Sequence, residues 1–367
     1  MRRAPRTMML VALLSTTSAA SGAVVVHPGE SIQAAIDAAP PGATIVVEPG
    51  VYHEAGATRA LTIAKNGIHL IGRARPGKPV VLEQAGTQEH GVWVSPTDTL
   101  DSTDAEEPPC GPSGARLDGF VLRGFTVQGF AGFGVYLACV DHFELRGNTA
   151  RDDGEYSLFP VRSSHGRMTD NAASGTVSDS CIYVGQDDDI VVEHNRATDC
   201  QIGLQIENST HVRFSSNVAE NNTAGMIVDV LNGRQVKEMA DNVVSRNVLR
   251  DNDRPNSAPP DSDTHDLQPG IGLVVDGADR TKVVRNTITG NTLAGVTLVS
   301  FCVDRPAACA GPLDIDPYPD GNRFQRNRFD GNGVDFLVFA EQGTGNCARG
   351  NRPKELTVVG GTLPVCR

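Results

Sequence analysis

Short runs of alternating apolar and polar residues recur along the chain, and many of them end at an asparagine. Between Ile190 and Val230 the pattern occurs twice. Ile-Val-Val-Glu-His-Asn is followed 22 residues later by Val-Arg-Phe-Ser-Ser-Asn, and Gly-Leu-Gln-Ile-Glu is followed at the same offset by Gly-Met-Ile-Val-Asp. Alternation with a period of two predicts short β-strands, and a fixed period of this length predicts stacked repeats.

The asparagine marks one position of a repeat that extends through most of the chain. It occurs at Asn148, Asn171, Asn195, Asn217, Asn247, Asn286 and Asn327. The first intervals are 23, 24 and 22 residues, and later ones of 30, 39 and 41 indicate inserted segments. We place these insertions near 231–238, 254–270 and 301–321, with an earlier one near 95–115.

Each repeat is too small to bury its own apolar face, so consecutive repeats must stack. The spacing leaves no room for helices between the strands, which predicts an all-β solenoid of parallel strands. A buried asparagine at a tight turn can bond to the same amide in the next coil. The glycine that leads the following run marks the bend into that strand.

The repeats resemble those of a known superfamily. The stretch from Cys181 to Val230, with Ile-Tyr-Val-Gly-Gln and Gly-Leu-Gln-Ile-Glu-Asn-Ser, resembles right-handed parallel β-helix repeat proteins of the pectate-lyase-like superfamily, near their NosD-type and mannuronan-epimerase-type repeats. The segment 29–54 resembles the start of such proteins, where Ser31 would cap a short helix. The resemblance implies a single-stranded right-handed parallel β-helix over 24–340, with an N-terminal helical cap and a C-terminal cap at 341–367.

The N-terminus has the pattern of a signal peptide over residues 1–23. Three arginines precede an apolar run at 8–14, and Ser-Gly-Ala ends the segment. The run is too short for the ~20 residues of a spanning helix, so we expect a secreted or periplasmic protein without a stable membrane anchor. Removing the three arginines changes the net charge of −12 to −15. Such acidity disfavours nucleic acid as a partner.

Eight cysteines in an exported chain indicate disulfides. Sequence proximity favours Cys302 with Cys309 and Cys347 with Cys366. The remaining four cysteines allow more than one pairing, of which we consider Cys110 with Cys139 and Cys181 with Cys200.

The outward face of the glycine-led strands is the predicted ligand surface, because grooves of the resembling superfamily lie there and the insertions would wall it. Alternation directs Leu204 and Ile206 inward and Gln205 and Glu207 outward. Stacking predicts one outward column of Tyr136, Phe159, Tyr183, Gln205, Ile227, Val274 and Thr297, and a second of Gly185, Glu207, Asp229 and Asp276. From these columns we take Gln205, Tyr136, Phe159 and Asp276, together with the single Trp93, as candidate substrate-binding residues.

The chemistry predicted for this face centres on Glu207 and Asp229, whose backbones would lie ~4.8 Å apart on consecutive coils. Two such carboxylates can hydrolyse a glycosidic bond or bind Ca²⁺, which is the candidate cofactor, or they are acids on a solvated sheet. Tyr183 and His165 are candidates for proton transfer, and Arg162 for clamping a carboxylate. Mannuronan epimerases of this fold carry Asp-Pro-His-Asp, and the nearest stretch here, Phe-Pro-Val-Arg at 159–162, lacks both acids and the histidine.

Three functions are compatible with this sequence. The first is an exported enzyme acting on an acidic polysaccharide as a lyase, epimerase or hydrolase. The second is a non-catalytic carbohydrate-binding or surface β-helix module. The third is a NosD-like periplasmic accessory protein, although the sequence has no methionine or histidine cluster that would support a copper role.

Overall fold

The computed structural model of the 367-residue chain describes residues 23–97, 110, 114–339 and 343–367. The predicted signal peptide and most of the insertion near 95–115 lie outside the described residues. The predicted boundary between β-helix and C-terminal cap, at 340 and 341, also lies outside them.

The chain folds into a right-handed parallel β-helix, as the resemblance implied. Each coil between the two ends contributes one strand to each of three long parallel sheets, which we name sheets A, B and C. Because the terminal coils are incomplete, the sheets contain 12, 10 and 11 strands within the described residues. Sheet A precedes the asparagine turn, sheet B follows it, and sheet C holds the glycine-led strands. Two-residue strands Leu117–Asp118 and Val140–Asp141 form a small additional pair.

The sheet A strands are Val24–Val26, Thr44–Val47, His69–Gly72, Val121–Arg123, Glu144–Arg146, Arg167–Thr169, Val191–Glu193, Arg213–Ser215, Val243–Ser245, Lys282–Val284, Arg323–Gln325 and Cys347–Arg349. The sheet B strands are Gly50–Tyr52, Val80–Glu83, Phe125–Gln128, Thr149–Arg151, Ala172–Ser174, Arg196–Thr198, Val218–Glu220, Val248–Arg250, Thr287–Thr289 and Arg328–Asp330. The sheet C strands are Arg59–Ile63, His90–Val94, Val135–Ala138, Leu158–Val161, Ser180–Gly185, Ile202–Glu207, Ala224–Asp229, Ile271–Asp276, Ala294–Val299, Val334–Val338 and Val358–Val359.

The asparagines form a continuous ladder between sheets A and B. The side-chain amide of Asn171 donates to Oδ1 of Asn195 at 2.9 Å, and that of Asn195 donates to Oδ1 of Asn217 at 3.1 Å. The ladder begins at Asn148 and extends to Asn351. All of these side chains are buried, so each amide depends on its neighbours for hydrogen bonds.

A short helix, α1 (Ile32–Ala38), covers the N-terminal end of the solenoid. The hydroxyl of Ser31 caps it by accepting from the backbone N–H of Ala34 at 3.0 Å. Ile32 and Ile36 are buried against the first coils. This is the predicted helical cap, and it shields the apolar interior that the first coil would otherwise expose.

Three insertions project from the coils around sheet C. The first insertion (231–238) follows the strand that ends at Asp229, and the second insertion (254–270) precedes the strand that begins at Ile271. The third insertion (301–321) contains helix α2 (Phe301–Asp304) and a 3₁₀ turn, Ala308–Ala310. The insertions therefore rise from both ends of the sheet C strands, and the space between them lies over the outward face of the sheet.

The structure contains four disulfides, Cys110–Cys139, Cys181–Cys200, Cys302–Cys309 and Cys347–Cys366. These are the four pairings that the sequence favoured. Disulfides of this density are typical of proteins in an oxidising compartment. None of the helices in the described part of the chain has the length and apolarity that a membrane crossing requires.

Candidate functional site

A groove of about 380 Å³ lies over the C-terminal half of sheet C, between the three insertions. Its floor is formed by the two outward columns of the sheet. Gln205 pairs in register with Ile227, which is followed by Val274 and Thr297 in the next two coils. The alternation in the sequence therefore predicted this part of the floor.

Three carboxylates form the second column of the floor. Glu207 pairs in register with Asp229, and Asp229 with Asp276, on three consecutive coils. Each side chain lines the groove, yet each residue is only 2 to 3% exposed. Because like charges so close and so poorly hydrated repel each other, each carboxylate needs a proton or a cation as a partner.

Glu207 is partnered by an arginine from the first insertion. Nε of Arg234 donates to Oε1 of Glu207 at 2.9 Å, and both side chains are largely shielded from solvent. The insertion thus supplies the positive charge that stabilises this end of the column.

Asp229 is partnered by a neutral group instead. The amide Nε2 of Gln205 donates to its carboxyl oxygens at 3.1 and 3.4 Å. Burial, followed by the charge of Glu207, raises the pKa of Asp229 to about 8 against the smaller opposing effects of Arg305 and Gln205. These effects favour the protonated form of Asp229.

Asp276 is reached by an arginine from the third insertion. Nη1 of Arg305 lies 3.0 Å from Oδ2 of Asp276 and 2.7 Å from Oδ2 of Asp304. The other oxygen of Asp276 has no hydrogen-bond partner among the described residues. Burial raises the pKa of Asp276 well above its usual range, against the opposing effect of Arg305.

A fourth carboxyl, that of the partly buried Asp179, completes the polar lining. Its Oδ2 accepts from the hydroxyl of Tyr156 at 2.9 Å, and its Oδ1 lies 2.9 Å from the hydroxyl of Ser180. The Ser180 hydroxyl also contacts Oε1 of Gln205. The Ser180 hydroxyl has one proton but contacts two oxygens, Oδ1 of Asp179 and Oε1 of Gln205. Because the amide oxygen of Gln205 cannot donate, both contacts are hydrogen bonds when Asp179 is protonated and donates to Ser180. Burial raises the pKa of Asp179 to about 7, which agrees with this arrangement.

The aromatic residues predicted to bind substrate lie outside the groove lining within the described residues. Trp93, Tyr136 and Phe159 are at most 3% exposed and pack against one another on the preceding coils. The guanidinium of Arg59 stacks over the Trp93 ring at 3.7 Å, which is a cation–π contact. These side chains expose almost no surface to a ligand, and we assign them a packing role.

Tyr183 belongs to the same aromatic cluster and pairs in register with Gln205 on the next coil. Its ring centroid lies 4.7 Å from that of Phe159 and 5.0 Å from that of Tyr156. A Cβ added to Gly185 would lie 2.1 Å from the Tyr183 hydroxyl, so the glycine is needed to make room for the ring. Burial and the charge of Glu207 raise the pKa of Tyr183 well above its usual range, which keeps the hydroxyl protonated.

The structure does not bring Arg162 and His165 to the groove. Arg162 is buried at the end of its strand, and its carbonyl accepts from Arg116 at 2.9 Å. His165 lies at the exposed turn that leads from sheet C to sheet A, with its ring 4.9 Å from that of His142. Neither is in a position to act on a ligand that occupies the groove.

Sequence reasoning missed four residues that shape the site, namely Arg234, Arg305, Asp179 and Tyr156. Both arginines come from insertions, which have no fixed register with the repeat, so stacking could not place them. Asp179 and Tyr156 lie in turns before sheet C strands. A carboxylate immediately before the strand Ser180–Gly185 was the one available signal for Asp179.

The described residues do not fit a metal centre. They contain no group of three histidine, cysteine, aspartate or glutamate side chains arranged to hold an ion. Their cysteines are all in disulfides, and Met168, Met226 and Met239 are buried in the core. The soft ligands that copper prefers are therefore committed to structure. At the predicted calcium pair, Arg234 and Gln205 already bond to Glu207 and Asp229.

Solved structures with a similar fold include several enzymes that act on saccharides. The A-module of the mannuronan C-5 epimerase AlgE4 from Azotobacter vinelandii has a TM-score of 0.65 at 16% identity, covering 92% of each chain. The periplasmic alginate epimerase AlgG has a TM-score of 0.53 at 15% identity, covering 91% of this chain and 83% of its own. DFA-IIIase from Arthrobacter chlorophenolicus A6, in complex with DFA-III, has a TM-score of 0.52 at 13% identity, covering 89% and 88%. At these identities the similarity shows the fold alone.

The family of the chain follows from a match to a family profile. No curated protein matches the chain in sequence. The profile of one family, described as periplasmic copper-binding protein (NosD), matches residues 118–332, which include every strand of sheet C that forms the carboxylate column. That match spans more than half of the 367 residues, and the chain therefore belongs to the NosD family.

Proposed function

We propose that the protein is exported and that it binds and hydrolyses a polysaccharide in the groove over sheet C. The observation that carries this proposal is the column Glu207, Asp229 and Asp276, in which a protonated carboxyl lies between two that are paired with arginines. A proton held at neutral pH beside a second carboxylate is the arrangement that glycoside hydrolysis requires. The saccharide-active enzymes of similar fold support the substrate class.

The reaction follows from the protonation states of the column. Asp229 donates its proton to the glycosidic oxygen, and the bond from that oxygen to the anomeric carbon breaks. Glu207, in register with Asp229 on the adjacent strand, attacks the anomeric carbon as that bond breaks. A water molecule then displaces the sugar from Glu207 and gives its proton to the ionised Asp229, which restores both carboxyls. Arg234 holds the Glu207 side chain in place, and Gln205 orients the Asp229 carboxyl towards the groove.

Hydrolysis fits the groove better than the lyase and epimerase alternatives. Those reactions require the carboxylate of a uronate to be neutralised before its C5 proton can be removed. The two arginines that line the groove, Arg234 and Arg305, are each paired with protein carboxylates. Proton donation from Asp229 needs no such free cation.

The family description names copper, and the described residues favour a different role for this member. Copper binding would require thiolate, thioether or imidazole groups converging on one point. The cysteines and methionines of the described part are buried or disulfide-bonded, and no three metal-binding side chains converge. We therefore derive no step of the reaction through copper.

Incubating the protein with a panel of polysaccharides and measuring new reducing ends tests the proposal. We expect Asp229→Asn and Glu207→Gln each to lower the rate on the accepted glycan by ~100-fold or more, the usual scale for a general acid or base. Asp261→Asn is the matched control, because Asp261 is exposed in the second insertion and is not part of the groove lining. Glycan binding without cleavage in the parent protein would instead support the non-catalytic binding module.

A further inference from the structure

The charge of the groove lining indicates which glycan fits it. Among the residues that the structure describes, seven acidic and two basic side chains line the groove. The sequence led us to expect an acidic polysaccharide, and this lining favours the opposite charge. Resting on the proposed function, we infer that the groove binds a glycan that carries amino groups and that it discriminates against uronate chains.

The positive charges of the two lining arginines are already balanced by protein carboxylates. Arg234 donates to Glu207 at 2.9 Å, and Arg305 bridges Asp276 and Asp304 at 3.0 and 2.7 Å. A uronate would add a further negative charge to a lining in which acids outnumber arginines. Like charges in such a poorly hydrated site repel each other.

The floor instead has acceptors that lack donors. Asp276 lines the groove and is only 2% exposed, and its Oδ1 has no hydrogen-bond partner within the described residues. Its neighbour Asp229 receives only the amide of Gln205. An ammonium group has three donors and no acceptor, and its hydrogen bonds to carboxylates are stronger than those of neutral groups.

The rest of the floor suits the ring of a sugar. Ile227, Val274 and Val299 form an apolar strip beside the acids, with Ile227 and Val303 only partly buried. The C–H face of a sugar ring can pack on this strip while an amino substituent reaches the carboxylate column. The groove thus combines an apolar surface for the ring with an anionic surface for the substituent.

The experiment compares oligosaccharides of equal length that differ in one substituent. One series has a β-1,4 glucose backbone with hydroxyl, amino, N-acetylamino or C6 carboxylate groups, and a second has the matching α-1,4 galactose backbone. We expect the amino member of the accepted series to bind about tenfold more tightly than its N-acetylated form, with the uronate weakest. Added salt should reduce this preference.

Asp276→Asn should lower the affinity for the amino member more than the affinity for the N-acetylated form, and so remove most of the preference, whereas Asp261→Asn should change neither affinity. A uronate or neutral member that binds as tightly as the amino member would overturn the charge inference, and the proposed glycan-binding function would stand. Absence of binding to every member of both series, and to the polysaccharide panel, would overturn the proposed function itself.

Discussion

At the scale of single residues, the buried carboxyl of Asp229 sets the chemistry of the groove and also affects folding stability. Its folded pKa of about 8 is raised from the ordinary value of 3.8, so the folded state holds a proton that the unfolded chain releases above pH 4. The stability from this group is therefore fully present below about pH 4 and is lost as the pH rises through about 8.

Asp229→Asn should remove this pH dependence, because an amide resembles the protonated acid and does not titrate. We expect the stability of the parent, relative to the variant, to fall by about 1.4 kcal/mol per pH unit between pH 5 and 8. Thermal and denaturant unfolding at several pH values measure the difference. The Asp261→Asn control should differ from the parent by a constant amount. A constant difference for Asp229→Asn as well would mean that Asp229 is ionised in the folded protein.

Alternation in the sequence was enough to place Glu207, Asp229 and Asp276 in one outward column, because side-chain direction within a strand depends only on parity. The same rule placed Trp93 and Tyr136 outward, and they are outward from the solenoid but buried. Outward direction does not determine exposure, since exposure depends on what packs over the sheet. The partners Arg234 and Arg305 were not predictable, because they lie in insertions without repeat register.

At the scale of elements, the coils are held in register by side-chain amides as well as by backbone pairing. The sequence predicted the ladder through Asn195, and a second ladder was missed. In it, Nδ2 of Asn222 donates to Asn252 at 3.0 Å, and Asn252 donates to Asn291 at 3.0 Å. Each member lies five residues after a member of the first ladder, so a fixed offset in the sequence carried the signal.

Asn195→Ala should lower stability by about 1–3 kcal/mol, because the backbone and side-chain N–H groups of Asn171 lose the oxygen to which they donate, and the Met168 carbonyl loses a donor inside the solenoid. Thermal unfolding measures the loss. Asn221→Gly is the matched control, since Asn221 is exposed and has a φ of 54° that glycine adopts easily. Equal losses in the two variants would show that the buried ladder does not stabilise the coils beyond ordinary surface contacts.

At the scale of the whole molecule, the solenoid is a regular scaffold and the groove is made by its irregular parts. The first and third insertions contact each other, since Oδ1 of Asp314 accepts from the backbone of Gly233 at 3.2 Å and Asn232 accepts from the backbone of Asp314 at 2.9 Å. The second insertion is anchored on earlier coils, where Ser262 donates to the carbonyl of Ser178 at 3.0 Å. The walls are thus joined by individual hydrogen bonds and not by sheet pairing. They can loosen locally without unfolding the coils beneath them.

The disulfide Cys302–Cys309 allows the stability of the groove wall to be tested apart from that of the coils, because it closes a short loop within the wall that carries Arg305. Replacing both cysteines by serine should weaken binding of the accepted glycan several-fold, since the ligand must then order a looser wall. The melting temperature should change little, because the sheets do not depend on that loop.

The control replaces Cys347 and Cys366, which join the last sheet A strand to the C-terminal tail and are not part of the groove lining. It should lower the melting temperature and leave glycan affinity unchanged. Calorimetric titration and thermal unfolding of both double variants provide the comparison, and equal affinities for the parent and the Cys302/Cys309 variant would show that the wall is rigid without its disulfide.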